Sequence, residues 1–137
     1  MVAETVREQV ETLDDPRDRL LGVIDSLIAC FDENQDLLRI YAHATHGLPW
    51  RVRQTMGESS LQRFQDFSAW VTELARQAER AGYLRGLDPQ TVAVSLIGTV
   101  TTTAAQWIES DSSRSLSSQS SAVRAIFERV IAGSGSS

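Results

Sequence analysis

Between Asp88 and Glu109 lies PQTVAVSLIGTVTTTAAQWI, twenty residues without a charged side chain. The β-branched cluster inside it leans towards strand when taken alone, because valine and threonine lose rotamer freedom in a helix. The flanks decide otherwise. Asp88 followed by Pro89 is a helix start, with a carboxylate at the N-cap and proline at the first position, where its missing N–H costs nothing. At 100° per residue Leu96, Ile97, Val100, Ala104 and Trp107 group on one flank, and Thr91, Ser95, Thr99, Thr102 and Gln106 on another. Twenty residues could cross a bilayer, but so many polar groups and the lack of a flanking basic belt argue against a membrane span. A helix uncharged on every side is normally buried on every side. One small chain cannot cover all sides of an outer helix, so a second copy is expected to cover the rest. The hydroxyl stripe then has two uses, close helix packing across a dimer or the lining of a ligand cavity. Threonines tolerated at half-buried positions are the plain alternative.

The remaining segments also carry helical periodicity. Val2, Val6, Val10 and Leu13 mark a short amphipathic segment over residues 1–13 that begins abruptly, like the end of something longer. Asp15 and Pro16 start a second helix, whose Leu20, Ile24, Leu27, Ile28 and Phe31 recur on one face. A third runs from Asn34 to His46 and stops at Gly47 and Pro49. A longer run extends from Trp50 to about Ala81, with a bend or break expected near Gly57, and Gly82 closes it. After the uncharged helix, SDSSRSLSSQSS has eight serines in twelve positions and reads as a flexible loop. A last helix carries Val123, Ile126, Phe127, Val130 and Ile131, a stripe wider than one small monomer would cover. The expectation is an all-α bundle of about six helices, one domain over 1–133 with a disordered tail at 134–137. Its dimer interface is expected at Ser95, Thr102, Gln106, Val123, Ile126, Phe127 and Val130.

Charge and chemistry narrow the function. All 13 basic residues are arginine, which carries no functional weight, but the net charge of −5 argues against nucleic-acid binding by this segment, since phosphate neutralisation supplies most of that affinity. A single cysteine, Cys30, excludes an internal disulfide and reads as a small buried hydrophobe. The charged N-terminus lacks the apolar core of a signal peptide, so a cytoplasmic location is expected. His43 and His46 sit three apart and could share a metal, but no Glu-x-x-His pattern supplies further ligands, and solvated histidines at a helix end are preferred. Neither a phosphate loop nor a nucleophile motif is present, and the acidic pairs Asp14–Asp15 and Asp32–Glu33 read as solvated caps. Neither an enzyme nor a cofactor is expected. What remains is an aromatic group, Phe31, Tyr41, Trp50, Phe64, Phe67 and Trp70. With His46 beside it and Thr99 and Thr103 from the uncharged helix, it could line a pocket for a small, mostly apolar ligand. Ordinary core packing is the competing reading.

Three stretches, DDPRDRLLGVIDSLIACFDENQDLLRIYAH, ELARQAERAGYLRGLDPQTVAVSLIGTV and AVRAIFERVIAG, together resemble the C-terminal regulatory domain of TetR-family transcriptional repressors. The short motifs are Asp15-Pro16-Arg17, Gly82-Tyr83-Leu84-Arg85 and Asp88-Pro89. The resemblance implies an all-α domain that dimerises through its last two helices and holds an effector among the earlier ones, thereby modulating operator binding. Residues 1–13 would then be the end of the connecting helix, with the family's N-terminal helix-turn-helix domain absent. DNA binding is accordingly expected only of a longer parent. A helical interaction module without any ligand is the alternative, and a metal-binding bundle around His43 and His46 is a third.

Overall fold

A computed structural model describes residues 2–36, 39, 58–110 and 115–131. The expected helix over 34–46 and the stretch 50–57 lie largely outside the described residues, as do Tyr41, His43, His46, Trp50 and the tail at 134–137. Among the described residues are five α-helices and no strand. They are α1 (Val2–Glu11), α2 (Pro16–Glu33), α3 (Glu58–Arg80), α4 (Pro89–Glu109) and α5 (Ser120–Val130), with a short 3₁₀ turn at Leu116–Gln119.

The two Asp-Pro pairs act as the sequence predicts. Asp15 accepts from the Asp18 amide at 3.2 Å and starts α2, with Pro16 in its first turn. Asp88 accepts from the Thr91 amide at 2.9 Å and from the Thr91 hydroxyl at 2.8 Å, and starts α4. The hydroxyl bond, followed by the amide bond, holds the Asp88 carboxyl below its usual pKa. α3 ends in a Schellman turn. Gly82 sits at φ +86 while its amide reaches the Glu79 carbonyl and the Tyr83 amide reaches that of Ala78, each at 2.9 Å.

α2 is the hub of the bundle, touching α1, α3, α4, α5 and the 3₁₀ turn. Leu20, Leu21, Val23, Ile24, Leu27 and Ile28 are all buried along it, so apolar residues leave it on more than one side. α1 lays Val6 and Val10 into this core. Gly22 of α2 faces the end of this segment, and a Cβ there would stand 3.0 Å from Leu13 Cδ1, just beyond α1, and 3.6 Å from Val10 Cγ2. α4 buries Val92, Ala93, Leu96, Ile97, Val100 and Ala104. Although Pro89–Ile108 is long and apolar enough to cross a membrane by composition, it packs here as a core helix.

The described part of the serine-rich segment, residues 115–121, differs from the flexible loop expected of it. Leu116, the apolar residue within that run, is fully buried, and the chain is helical from Leu116 to Val130. Two carboxylates of α2 hold it. Asp32 accepts from the Leu116 amide at 3.2 Å and the Ser117 hydroxyl at 2.9 Å. Asp25 accepts from the Ser120 hydroxyl at 2.7 Å and pairs with Arg124. Asp32 is therefore a tether across 84 residues of sequence rather than a solvated cap.

Candidate functional site

α4 buries one side in its own chain and turns the other outwards. Thr91, Ser95, Thr102 and Gln106 are exposed, as is Val94 at 54%. Gly98 shares this face, and beyond its chain neighbours and the backbone of its own helix turn nothing lies within 4 Å of where its Cβ would be. Two hydroxyls of the helix are satisfied internally, Thr99 by the Ser95 carbonyl at 2.7 Å and Thr101 by that of Gly98 at 3.2 Å. Such back-bonding lets an uncharged helix carry threonine without orphaned polar atoms, and the described residues contain no buried unsatisfied side-chain N or O.

The α5 stripe divides between two roles. Val123, Phe127 and Ile131 are buried in the chain's own core, whereas Ile126 is 52% exposed and Val130 half-buried. Between α4 and α5 runs a groove of about 410 Å³. Leu87, Val92, Ile126, Phe127 and Val130 form its apolar walls, and Asp88, Thr91, Ser95 and Thr99 its polar edge. Of the residues expected at a dimer interface, Ser95, Ile126, Phe127 and Val130 meet at this groove, Thr102 and Gln106 lie exposed on α4, and Val123 belongs to the core.

The aromatic group sits elsewhere. Phe31, Phe64 and Trp70 pack half-buried against the core, and Phe67 is buried in it. The Phe67 and Trp70 ring centroids are 5.8 Å apart, tilted by 45°. Arg7 of α1 lies over the Trp70 ring at 5.3 Å and donates to the Asp66 carbonyl at 3.3 Å, a contact of the cation–π kind. Phe64 also lines a second, more polar groove of about 310 Å³ with Ser68, Thr72 and Arg76 of α3 and Gln90 of α4. Thr99 is thus placed in the α4–α5 groove and away from the groove of Phe64, while Thr103 is half-buried on α4.

Sequence reasoning passed over Leu87 and Val94. Leu87 is 42% exposed at the mouth of the groove, and Val94 lies in helical register with Gly98 and Thr102. Attention to large residues on the small-residue side of α4 would have found Val94. Cys30 is buried as expected, and that burial, then the nearby Glu33, pushes its thiol pKa up, against any reactive role. No cluster of three metal-binding side chains occurs among the described residues.

In comparisons with known proteins, a family model described as "Tetracyclin repressor-like, C-terminal domain" matches residues 13–131. No curated protein and no solved structure matches.

Proposed function

From the premise that the chain belongs to the tetracyclin repressor-like C-terminal domain family, a family of regulatory rather than enzymatic domains that generally bind ligands and dimerise, we propose that it is the effector-sensing and dimerisation domain of a cytoplasmic transcriptional regulator. The observation that carries the proposal is the uncharged outer face of α4 together with the apolar groove it shares with α5. Val94 at 54%, Ile126 at 52% and Leu87 at 42% stand exposed beside an apolar groove. Each such side chain would contribute about 1 to 2 kcal/mol if a second copy covered it. Ser95, Thr102 and Gln106 would form the close-packed part of a two-fold contact, with Ile126 and Val130 beside them and Phe127 as its floor.

The effector would be small and mostly apolar, held by Phe31, Phe64, Phe67 and Trp70, with Tyr41, His46 and Trp50 contributing from outside the described residues. Thr103 is a candidate polar contact, and Thr99 faces the α4–α5 side. Binding would shift the dimer between two helix arrangements, by no more than the effector's difference in affinity for them. Operator DNA would be contacted only by a helix-turn-helix domain in a longer parent, and none is detected within these 137 residues.

Sedimentation equilibrium tests self-association. The chain should be dimeric at micromolar concentration, and Val94→Glu or Ile126→Glu should make it monomeric while it stays folded. A wild-type chain monomeric throughout that range would overturn the dimer. Thermal shift against apolar ligands tests the effector, and a stabilisation abolished by Trp70→Ala is expected. An absence of stabilisation across the screen would favour a dimerisation module without a ligand.

A further inference from the structure

The end of α5 is held from outside its own helix. A helix leaves its last carbonyls without intrahelical partners, and in α5 the carbonyls of Glu128, Arg129 and Ile131 accept hydrogen bonds from two guanidinium groups. Arg17, in the first turn of α2, donates through Nε to Ile131 at 3.2 Å and through Nη2 to Glu128 at 3.3 Å. Arg85, in the turn between α3 and α4, donates to Arg129 at 3.5 Å.

Arg85 stands where its backbone is poorly suited. It sits at φ +50, followed by Gly86 at φ +89, with the Leu87 amide bonded to the Leu84 carbonyl at 3.0 Å. Both central residues of this tight turn are left-handed, a conformation that glycine adopts freely and a residue with a Cβ does not. An arginine kept there in spite of its backbone points to a use for its side chain. Its neighbour Tyr83 reaches Asp15, two residues before Arg17, with its hydroxyl at 2.8 Å, so the α3–α4 turn and the start of α2 form one platform.

We propose that Arg17 and Arg85 are positioning residues that pin the last turn of α5 and so hold Ile126 and Val130 in register on the α4–α5 face. Ile131 is fully buried and anchors the same turn. The cations also sit at the negative end of the helix dipole, which strengthens the hold. The consequence for association rests on the dimer reading above, whereas the pinning itself does not.

Amide hydrogen exchange and sedimentation equilibrium on the full chain test it, with Arg17→Ala, Arg85→Gly, the double variant and Arg17→Lys. Arg85→Gly guards against misfolding, since it relieves the backbone while removing the guanidinium. In the double variant, exchange at the amides of residues 128–131 should rise roughly fivefold. The dimer dissociation constant should rise by a similar factor, with cooperative melting retained. Arg17→Lys keeps the charge but gathers its donors on one nitrogen, where Arg17 spans the two carbonyls with Nε and Nη2, so it should rescue only in part. Unchanged exchange would overturn the proposal, and so would faster exchange with unaltered association. If the wild-type chain proves monomeric, the dimer reading fails, and exchange alone then decides the pinning.

Discussion

Tyr83 donates its hydroxyl to the carboxylate of Asp15 at 2.8 Å, across 68 residues of sequence, and the same carboxylate group caps α2. A hydrogen bond that keeps the phenol protonated raises its pKa, and this bond is the chief cause of the rise at Tyr83, ahead of desolvation. The folded state therefore holds that proton more tightly than the unfolded state does. Its contribution is complete below about pH 10, the ordinary tyrosine value, and is lost as pH rises through the folded pKa. Tyr83→Phe should lower the denaturation midpoint at neutral pH and flatten the alkaline fall in stability. Asp15→Ala removes the cap as well and should cost about 1 to 2 kcal/mol in a denaturant titration. Equal alkaline limbs in wild type and Tyr83→Phe would count against the linkage.

Asp88 works with the opposite sign. Its folded pKa lies below the ordinary carboxylate value because the Thr91 hydroxyl and amide bond the charged form. The stability it contributes is present above about pH 4 and is lost as pH falls through the folded pKa. Asp88→Asn keeps an N-capping oxygen but cannot titrate. Thermal melts from pH 6 down to 2 should show a shallower acid decline in this variant. Identical acid profiles would remove Asp88 from the acid response.

Leu116 sits fully buried amid serines, packed where α2, α5 and the 3₁₀ turn meet. Truncating a buried leucine removes its transfer free energy and leaves a cavity, so Leu116→Ala should cost about 2 to 4 kcal/mol. Ser118→Ala, at an exposed site one residue past Ser117, should change stability by less than about 0.5 kcal/mol. Chemical denaturation of the two variants separates a docked segment from a loose loop.

These cases show what the sequence could carry. Asp15-Pro16 and Asp88-Pro89 are local devices, readable because cap and proline stand next to the helix they start. The 3.6-residue period likewise exposed the core faces of α2 and α4. The tethering of Leu116 by Asp32 was not readable, because serine abundance is a local signal whereas the partner carboxylate lies 84 positions away. For the same reason Val123 and Phe127 could not be told apart from Ile126. Periodicity gives a stripe but not which neighbour covers each residue, and α2 covers part of that stripe itself. The separation of Thr99 from the α3 aromatics is again a matter of which helices flank α4, which no spacing within α4 encodes.

Gly98 offers the sharpest test of the uncharged face, because the single chain and the dimer demand opposite outcomes. It lies inside α4, where glycine is less favourable than alanine by about 0.5 to 1 kcal/mol. Beyond its chain neighbours and its own helix backbone nothing in the chain stands within 4 Å of the added Cβ, so Gly98→Ala should stabilise the isolated protomer by about that amount. A partner helix packed closely on Val94, Gly98 and Thr102 would have to move away from the new methyl group, which raises the dissociation constant. Denaturation midpoints measured over a hundredfold range of protein concentration resolve the two terms. The expected result is a variant more stable than wild type when dilute and less stable when concentrated. Stabilisation independent of concentration would mean that no partner approaches this face at Gly98.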